Sequence, residues 1–261
     1  MKLDAFSYGG GVQSTAALVL AARGNLECNL FLFSNTGDDS EDPRTLAYVR
    51  DVAMPFAKKH DIELLEVNKR MRDGSTETLY GRIMRTRVSC PIPARLERTG
   101  MPASRVCTAD FKAGVVQKEL AARGFTERNP AVVGLGITLD EIERAKKDVQ
   151  IKNEVLSYPL LHMTRQDCVN AILEAGLPVP PKSACFFCPF KSRMAWRDLK
   201  REQPELFETA CRVEQHLDAK MRRAGHGGVL LTDSGVPLAV AVGEGVQMQI
   251  DDFCDSGWCF T

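Results

Sequence analysis

The chain has 261 residues, of which 44% are hydrophobic and 26% charged, with 34 basic and 34 acidic side chains. That length and composition suit one large globular domain, or one domain with a small appendage. Zero formal net charge excludes a global basic field that would recruit nucleic acid or anionic membrane, and no apolar run approaches a membrane span. The first residues show no signal-peptide pattern, so the expectation is a cytoplasmic protein with no membrane partner. Nine cysteines is a high number for such a chain. In a reducing compartment they point to metal or redox chemistry and a few buried thiols.

Leu3 to Phe6 reads as a short buried strand. The run Ser7-Tyr8-Gly9-Gly10-Gly11-Val12-Gln13-Ser14-Thr15 follows, and then a helix from Ala16 to Arg23 closed by Gly24. Strand, glycine-rich turn and helix together make an anion site: glycine lets the backbone approach a phosphate, and the N–H groups of the helix start point at it. Ser7, Ser14 and Thr15 add hydroxyl donors. The loop contains no lysine, which excludes an ordinary P-loop NTPase. Leu30 to Phe33 is a second strand, Asn35-Thr36-Gly37-Asp38-Asp39 a polar turn, Pro43 to His60 a helix and Ile62 to Val67 a third strand. Alternating strands and helices imply a parallel sheet, with ligands bound beyond the carboxyl ends of its strands.

Lys69 to Ser104 breaks this rhythm. It carries Arg70, Arg72, Arg82, Arg85, Arg87, Arg95 and Arg98 and no sustained apolar period. It is either a solvated excursion or a surface that docks a phosphate-rich substrate. Arg105 to Lys112 then opens a helix to Arg123. Ala131 to Ile137 is a strand ending at Gly134-Leu135-Gly136. Thr138, with Glu141 three residues on, forms an expected capping box for a helix carrying Arg144, Lys146 and Lys147. Glu154 to Leu161 is the last strand, and Thr164 to Ala175 a Thr-capped helix. A proline linker follows Gly176, so the expected domains are 1–176, a nucleotide-binding α/β domain, and 177–261, a cysteine-rich, mostly helical region. Arg193 to Arg223 reads as helical with a break near Pro204, and Gly225 to Ala241 as a turn-rich unit.

Cys185-x-x-Cys188 can present two thiolates to one metal from a single turn. Cys254 and Cys259 form a second close pair. Cys107 lies between Arg105 and Lys112, cations that favour thiolate. Four thiolates suit iron–sulfur or zinc alike. Cys28, Cys168 and Cys211 sit among apolar positions and read as buried thiols. Lys112, Arg105 and Arg144 are the cations expected around a transferred phosphate, or else plain surface charges. Asp38 and Asp39 suit Mg2+ on a triphosphate, or are turn residues.

Taken together, these segments resemble the PP-loop adenine-nucleotide α-hydrolases. Ser7-Tyr-Gly-Gly-Gly-Val-Gln-Ser14 is similar to the S-G-G-x-D-S loop, and Gln13 at its acidic position is closest to the phosphoadenosine-phosphosulfate (PAPS) reductase branch. Asn35-Thr-Gly-Asp resembles that branch's D-T-G turn. Arg105-Val-Cys-Thr-Ala-Asp-Phe-Lys112 resembles R-x-C-[CT]-x-x-x-K, and Gly136 to Arg144 resembles G-I-x-x-x-E-x-x-R. Cys185-x-x-Cys188 stands where cluster-bearing sulfonucleotide reductases place a cysteine pair. Thr108 replaces the second cysteine of a Cys-Cys pair, so a four-cysteine set needs Cys254, Cys259 or Cys90. The tail lacks the E-C-G-[IL]-H ending of a housekeeping PAPS reductase.

The resemblance covers roughly the first 200 residues and implies a five-stranded parallel sheet sandwiched by helices, Rossmann-like, with a helical cysteine-containing extension. It implies an ATP pyrophosphatase or adenylating enzyme of sulfur transfer, of the DndC and SspD kind that acts in DNA phosphorothioation, or of the thiolation kind. Ser7, Gly9, Gly10, Gly11, Gln13 and Ser14 would hold phosphates, while Thr36, Gly37, Gly134 and Gly136 flank the adenosine. Arg105, Lys112 and Arg144 would stabilise the transferred group. Cys107, Cys185 and Cys188 with Cys254 or Cys259 would bind a [4Fe-4S] cluster, with zinc as the alternative. ATP, Mg2+, a nucleic-acid acceptor, sulfur-modification proteins such as a cysteine desulfurase, and a homo-oligomer complete the expected set. Two other outcomes remain in view: a sulfonucleotide reductase, and a catalytically silent nucleotide-binding subunit with structural zinc.

Overall fold

A computed structural model of the chain describes residues 2–85, 90–145 and 150–243. β1 (Ala5–Tyr8) passes through the glycine loop into α1 (Val12–Ala22). β2 (Leu30–Asn35) leads to α2 (Pro43–Tyr48), a π-helical turn at Val49–Ala53 and α3 (Met54–Lys59). Asp42 caps α2 by accepting the Arg44 N–H, and Pro43 occupies the first turn, where no backbone donor is needed. β3 (Glu63–Asn68), α4 (Leu79–Met84) and β4 (Arg95–Leu96) come next. A π-helical stretch Thr108–Ala113 runs into α5 (Gly114–Ala122), then β5 (Ala131–Gly134) and a 3-10 helix Leu139–Arg144. β6 (Gln150–Ile151), β7 (Glu154–Ser157), α6 (Arg165–Glu174), α7 (Arg193–Glu202), α8 (Pro204–Arg223), β8 (Val229–Leu230) and α9 (Leu238–Ala241) complete the order.

The chain divides into two compact units, one of residues 1–70 and 110–183, the other of 71–109 and 184–261. In the first, a mixed sheet runs β3-β2-β1-β5-β7-β6, and every neighbouring pair is parallel except β6 with β7. The expected five parallel strands are present. The sixth strand is an addition: Gln150 and Ile151 turn back on β7 through Lys152, whose φ is +56°. Two exposed residues carry no periodicity, so that strand leaves no signal in the sequence.

Side-chain alternation sets the layers of the first unit. Phe6, Tyr8, Phe31 and Phe33 face one core with Val12, Leu18, Cys168 and Ile172 from α1 and α6. Ala5, Leu30, Leu32 and Val133 face the other with Val116 and Leu120 of α5. Phe6 and Phe31 stack with ring centroids 5.2 Å apart. Helices therefore cover both faces of a mostly parallel sheet, as an α/β fold requires.

The second unit gathers segments far apart in sequence. β4 pairs antiparallel with β8, and α7 packs on α8 around the fully buried Trp196. Glu214, buried on α8, accepts the N–H groups of Leu231 and Leu238 at 2.7 Å each. Lys220, also buried on α8, donates to the carbonyls of Ile83 and Arg85 at 2.8 and 2.9 Å, closing the end of α4. Two buried charges thus tie residues 71–109 and 229–238 to one helix.

The capping box expected at Thr138 and Glu141 does not form. Thr138 precedes the 3-10 helix without a side-chain cap, Glu141 leaves helical geometry at φ −124° and ψ 24°, and its carboxylate pairs with Arg144. At Thr164 the box is complete: its hydroxyl takes the Asp167 N–H while Asp167 accepts the Thr164 N–H.

Candidate functional site

The glycine loop leaves β1 at the carboxyl edge of the sheet. Gly10 adopts φ +74°, a left-handed conformation that favours glycine, and a Cβ there would lie 2.9 Å from the Thr45 methyl. Gly11 precedes α1, and its N–H donates to Ser14 Oγ at 3.2 Å while Ser14 Oγ donates to the Gly11 carbonyl at 3.0 Å. Ser14 thereby ties both main-chain groups of Gly11 to the first turn of α1. The Thr15 N–H is bonded to the Gly11 carbonyl at 3.0 Å. The N–H groups of Val12, Gln13 and Ser14 precede any intrahelical carbonyl and form the donor end of the helix. A Cβ on Gly11 would meet Ser183 Oγ at 3.0 Å, which adds a hydroxyl to the rim of the loop.

Two further turns at the same sheet edge complete the cradle. Gly136 lies against the first turn of α1, where a Cβ would sit 3.1 Å from Gln13 Cβ and 3.4 Å from the Ser14 nitrogen. Gly134 serves the core instead: a Cβ there would strike Phe6 at 2.5 Å. The Asn35–Asp39 turn is organised internally. Gly37, at φ +129°, donates its N–H to Asn35 Oδ1 at 2.8 Å, and the buried Thr36 hydroxyl donates to Glu41 Oε1 at 2.8 Å. Arg50 donates to both Asp38 and Glu66, and these guanidinium bonds hold both carboxyls below their ordinary range. Asp38, a candidate Mg2+ ligand by its residue type, is paired with Arg50 and Asn35.

Several buried polar atoms of the first unit lack partners. Among the described residues of this unit Thr45 Oγ1, Thr138 Oγ1 and the Nε and Nη2 of Arg144 have no hydrogen-bond partner; in the second unit the same holds for atoms of Arg95, Trp196, Gln203 and His216. An orphaned buried guanidinium donor costs of order 1–3 kcal/mol or more, so such groups are places for an ordered water, an ion or a polar ligand. Thr45 packs on Gly10, and Thr138 and Arg144 follow the Gly136 turn. Orphaned donors, bare glycines and an open helix start fit a phosphorylated nucleotide.

Lys112 is half-buried in the π-helical stretch, whose carbonyls at Phe111 and Lys112 accept from Ser34 Oγ of β2 at 2.9 and 3.4 Å. Lys69 pairs with Asp110 at 2.9 Å and lies 4.9 Å from the Phe111 ring centroid. Ser7 occupies the third position of β1 and Gly9 follows its end.

Arg105 and the described candidate cysteines belong to the second unit. The Arg105 guanidinium stacks 4.9 Å over the Phe190 ring. This joins the Arg105–Cys107 segment to the segment holding Cys185 and Cys188. The Cys188 N–H donates to the Cys185 carbonyl at 3.1 Å, a tight turn with Cys185 buried and Cys188 half-buried. The Cys107 N–H donates to the Pro91 carbonyl at 2.7 Å, beside Cys90, whose thiol donates to Ile92 O at 3.1 Å. Burial pushes the Cys90 thiol up, with the nearby Cys107 adding to the shift.

Among the described residues no three His, Cys, Asp or Glu side chains converge as a metal site. Cys254 and Cys259 lie outside the described residues, as do Arg87, Lys146 and Lys147. Cys28 and Cys168 are buried thiols with pKa values raised to about 11 by burial, and Cys211 is half-buried with the same shift. Within the arginine-rich excursion, Arg82 and Arg85 both pair with the buried Glu77, at 2.5 and 2.7 Å. Those two serve structure.

Residues that the motifs did not mark are Thr45, Ser183 and Arg165. Arg165 lies 152 positions from Gln13 and donates to its side-chain oxygen at 3.4 Å. No described helix is long and apolar enough to cross a membrane. No family model and no curated protein matches the chain. Among solved structures it is similar to the "U34-tRNA thiolase NcsA from Methanococcus maripaludis with its [4Fe-4S] cluster", at 14% identity and a TM-score of 0.42, over 94% of this chain and 81% of that one.

Proposed function

We propose that the chain is a PP-loop enzyme that binds ATP, adenylates an oxygen of its acceptor and releases pyrophosphate, in the service of sulfur transfer to nucleic acid. One observation carries the reading: the open start of α1 sits behind a glycine loop that Gly10, Gly11 and Gly136 keep bare, with the buried donors of Arg144 unpaired in the same unit. The motifs at Asn35–Asp38, Arg105–Lys112 and Gly136–Arg144 support the same assignment.

In this scheme Gly9, Gly10, Gly11 and the N–H groups of Val12 to Ser14 hold the phosphates. The acceptor oxygen attacks the α-phosphorus, the α–β bond breaks, and the electron pair leaves with pyrophosphate. Lys112 and Arg144 oppose the charge that builds on the transferred group. Mg2+ on the nucleotide would take phosphate oxygens and water as ligands, with one or two carboxylates at most. A sulfur nucleophile then displaces AMP from the activated atom. Cys107, Cys185 and Cys188 are the thiols assigned to the sulfur half, with Arg105 beside them. Cys185 and Cys188 fit as two ligands of a cluster or zinc, and a tail cysteine, Cys254 or Cys259, is assigned to complete the set. An iron–sulfur cluster there would supply iron to bind sulfur.

The test is pyrophosphate and AMP release from ATP, measured with and without DNA and tRNA. Release that depends on Gly10 and Lys112 supports the reading. Sulfite from PAPS without pyrophosphate from ATP replaces it with the reductase reading. Nucleotide binding with neither product leaves a silent binding subunit and overturns the enzyme.

A further inference from the structure

Position 13 stands in the first turn of α1, and its side chain is a neutral amide. Gln13 Oε1 accepts from Arg165 Nη1 at 3.4 Å, a long contact at the limit of a hydrogen bond. Arg165 opens α6, the helix that follows β7, and its guanidinium is exposed. Its backbone is well held. The Arg165 N–H donates to Asp140 Oδ2 at 2.5 Å, and the Thr164–Asp167 capping box closes around it. Asp140 therefore binds the main chain of Arg165, and among the described residues the guanidinium has no carboxylate partner. A cation held by its backbone, exposed, and engaged among the described residues by a weak neutral acceptor can take an anion. Gly136 packs on Gln13, so the three orphaned N–H groups of the helix start lie at the same end of α1.

We propose that Arg165 is a phosphate-binding residue of the nucleotide cradle, and that glutamine at position 13 keeps it available by giving it an acceptor with no charge. A carboxylate at position 13 would hold the same guanidinium in an ion pair and take it from the ligand. The ligand class is a diphosphate or triphosphate, whose terminal oxygens suit a planar guanidinium. This inference rests on the nucleotide-cradle reading and deepens it.

The experiment is calorimetric titration of the full chain with ATP and with inorganic pyrophosphate at several salt concentrations. The variants are Arg165→Ala, Arg165→Lys, Gln13→Asp and the double Gln13→Asp/Arg165→Ala. Thermal unfolding checks that each is folded. Loss of one charge-assisted contact should weaken pyrophosphate binding about tenfold in Arg165→Ala and flatten its salt dependence. Arg165→Lys should recover part of the affinity. Gln13→Asp should weaken binding in the parent chain and much less in the Arg165→Ala background, because the cation it captures is already gone. If the parent binds both ligands and Arg165→Ala binds them equally well, Arg165 is no ligand contact and only this inference falls. If Gln13→Asp costs the same in both backgrounds, its effect is plain repulsion and the proposed role of Gln13 is wrong. If the parent binds neither ATP nor pyrophosphate, the cradle reading itself fails.

Discussion

Gly10 faces Thr45: a first side-chain carbon on Gly10 would stand 2.9 Å from Thr45 Cγ2 and 3.3 Å from Val49 Cγ2, on a backbone already at φ +74°. Gly10→Ala therefore combines left-handed strain with a clash against α2. It should lower stability by about 1–3 kcal/mol and displace the loop that precedes α1. Chemical denaturation with ATP titration checks this. A stable variant with parental ATP affinity would show that the loop has room to move and does not shape the site.

Ser14→Ala tests the loop from the other side. Its hydroxyl both accepts the Gly11 N–H and donates to the Gly11 carbonyl. Its loss frees the Gly11 N–H, while the Gly11 carbonyl keeps the Thr15 N–H, and should cost about 1 kcal/mol. Nucleotide affinity should fall because the loop is no longer held open. Ser14→Thr keeps the hydroxyl and should retain more of both properties.

The glycine loop was legible because its composition violates helix and strand preference at one place, between two strongly patterned elements. That β1, β2 and β3 run parallel followed from their alternation with helices. What the sequence hid lies in long-range pairing. Arg95 pairs with Leu230, and Lys220 reaches the carbonyls of Ile83 and Arg85, so residues 71–109 belong with the C-terminal segment. A reading by local period has no access to contacts of that separation. The contact of Arg165 with Gln13 is hidden for the same reason. Thr138 differs in kind: the Thr-x-x-Glu spacing is present, but Glu141 pairs with Arg144, and the segment forms a 3-10 helix.

The Arg50 network predicts an acid limb in stability. Asp38 and Glu66 are held below their ordinary values of 3.8 and 4.5, first of all by hydrogen bonds from Arg50. A depressed carboxyl pKa contributes stability that is present above the unfolded value and lost as pH falls through the folded value. Arg50→Ala should therefore lie below the parent in stability from about pH 5 upward. The two should converge in acid. Asp38 is largely exposed, so the gap should stay within about 1 kcal/mol and shrink in salt. Denaturant melts across pH 2–7 in low and high salt measure it, and a gap that widens toward acid would contradict the network.

Cys185 and Cys188 predict a shared fate. Both leave one turn, closed by the Cys188 N–H on the Cys185 carbonyl. Protein purified without oxygen should carry bound metal. A broad brown visible absorbance would identify an iron–sulfur cluster, and one zinc in a colourless protein would identify a structural site instead. In either case Cys185→Ala and Cys188→Ala should each lose the metal, because removing one of two neighbouring thiolates leaves the other without its partner on the ion. Substituting Cys254 and Cys259 one at a time then decides which tail thiol completes the set. Cys90→Ala should retain the metal, since burial holds that thiol protonated and its hydrogen goes to the Ile92 carbonyl. A preparation free of iron and zinc, with parental pyrophosphate release, would confine the cysteines to thiol chemistry and remove the cluster from the reaction.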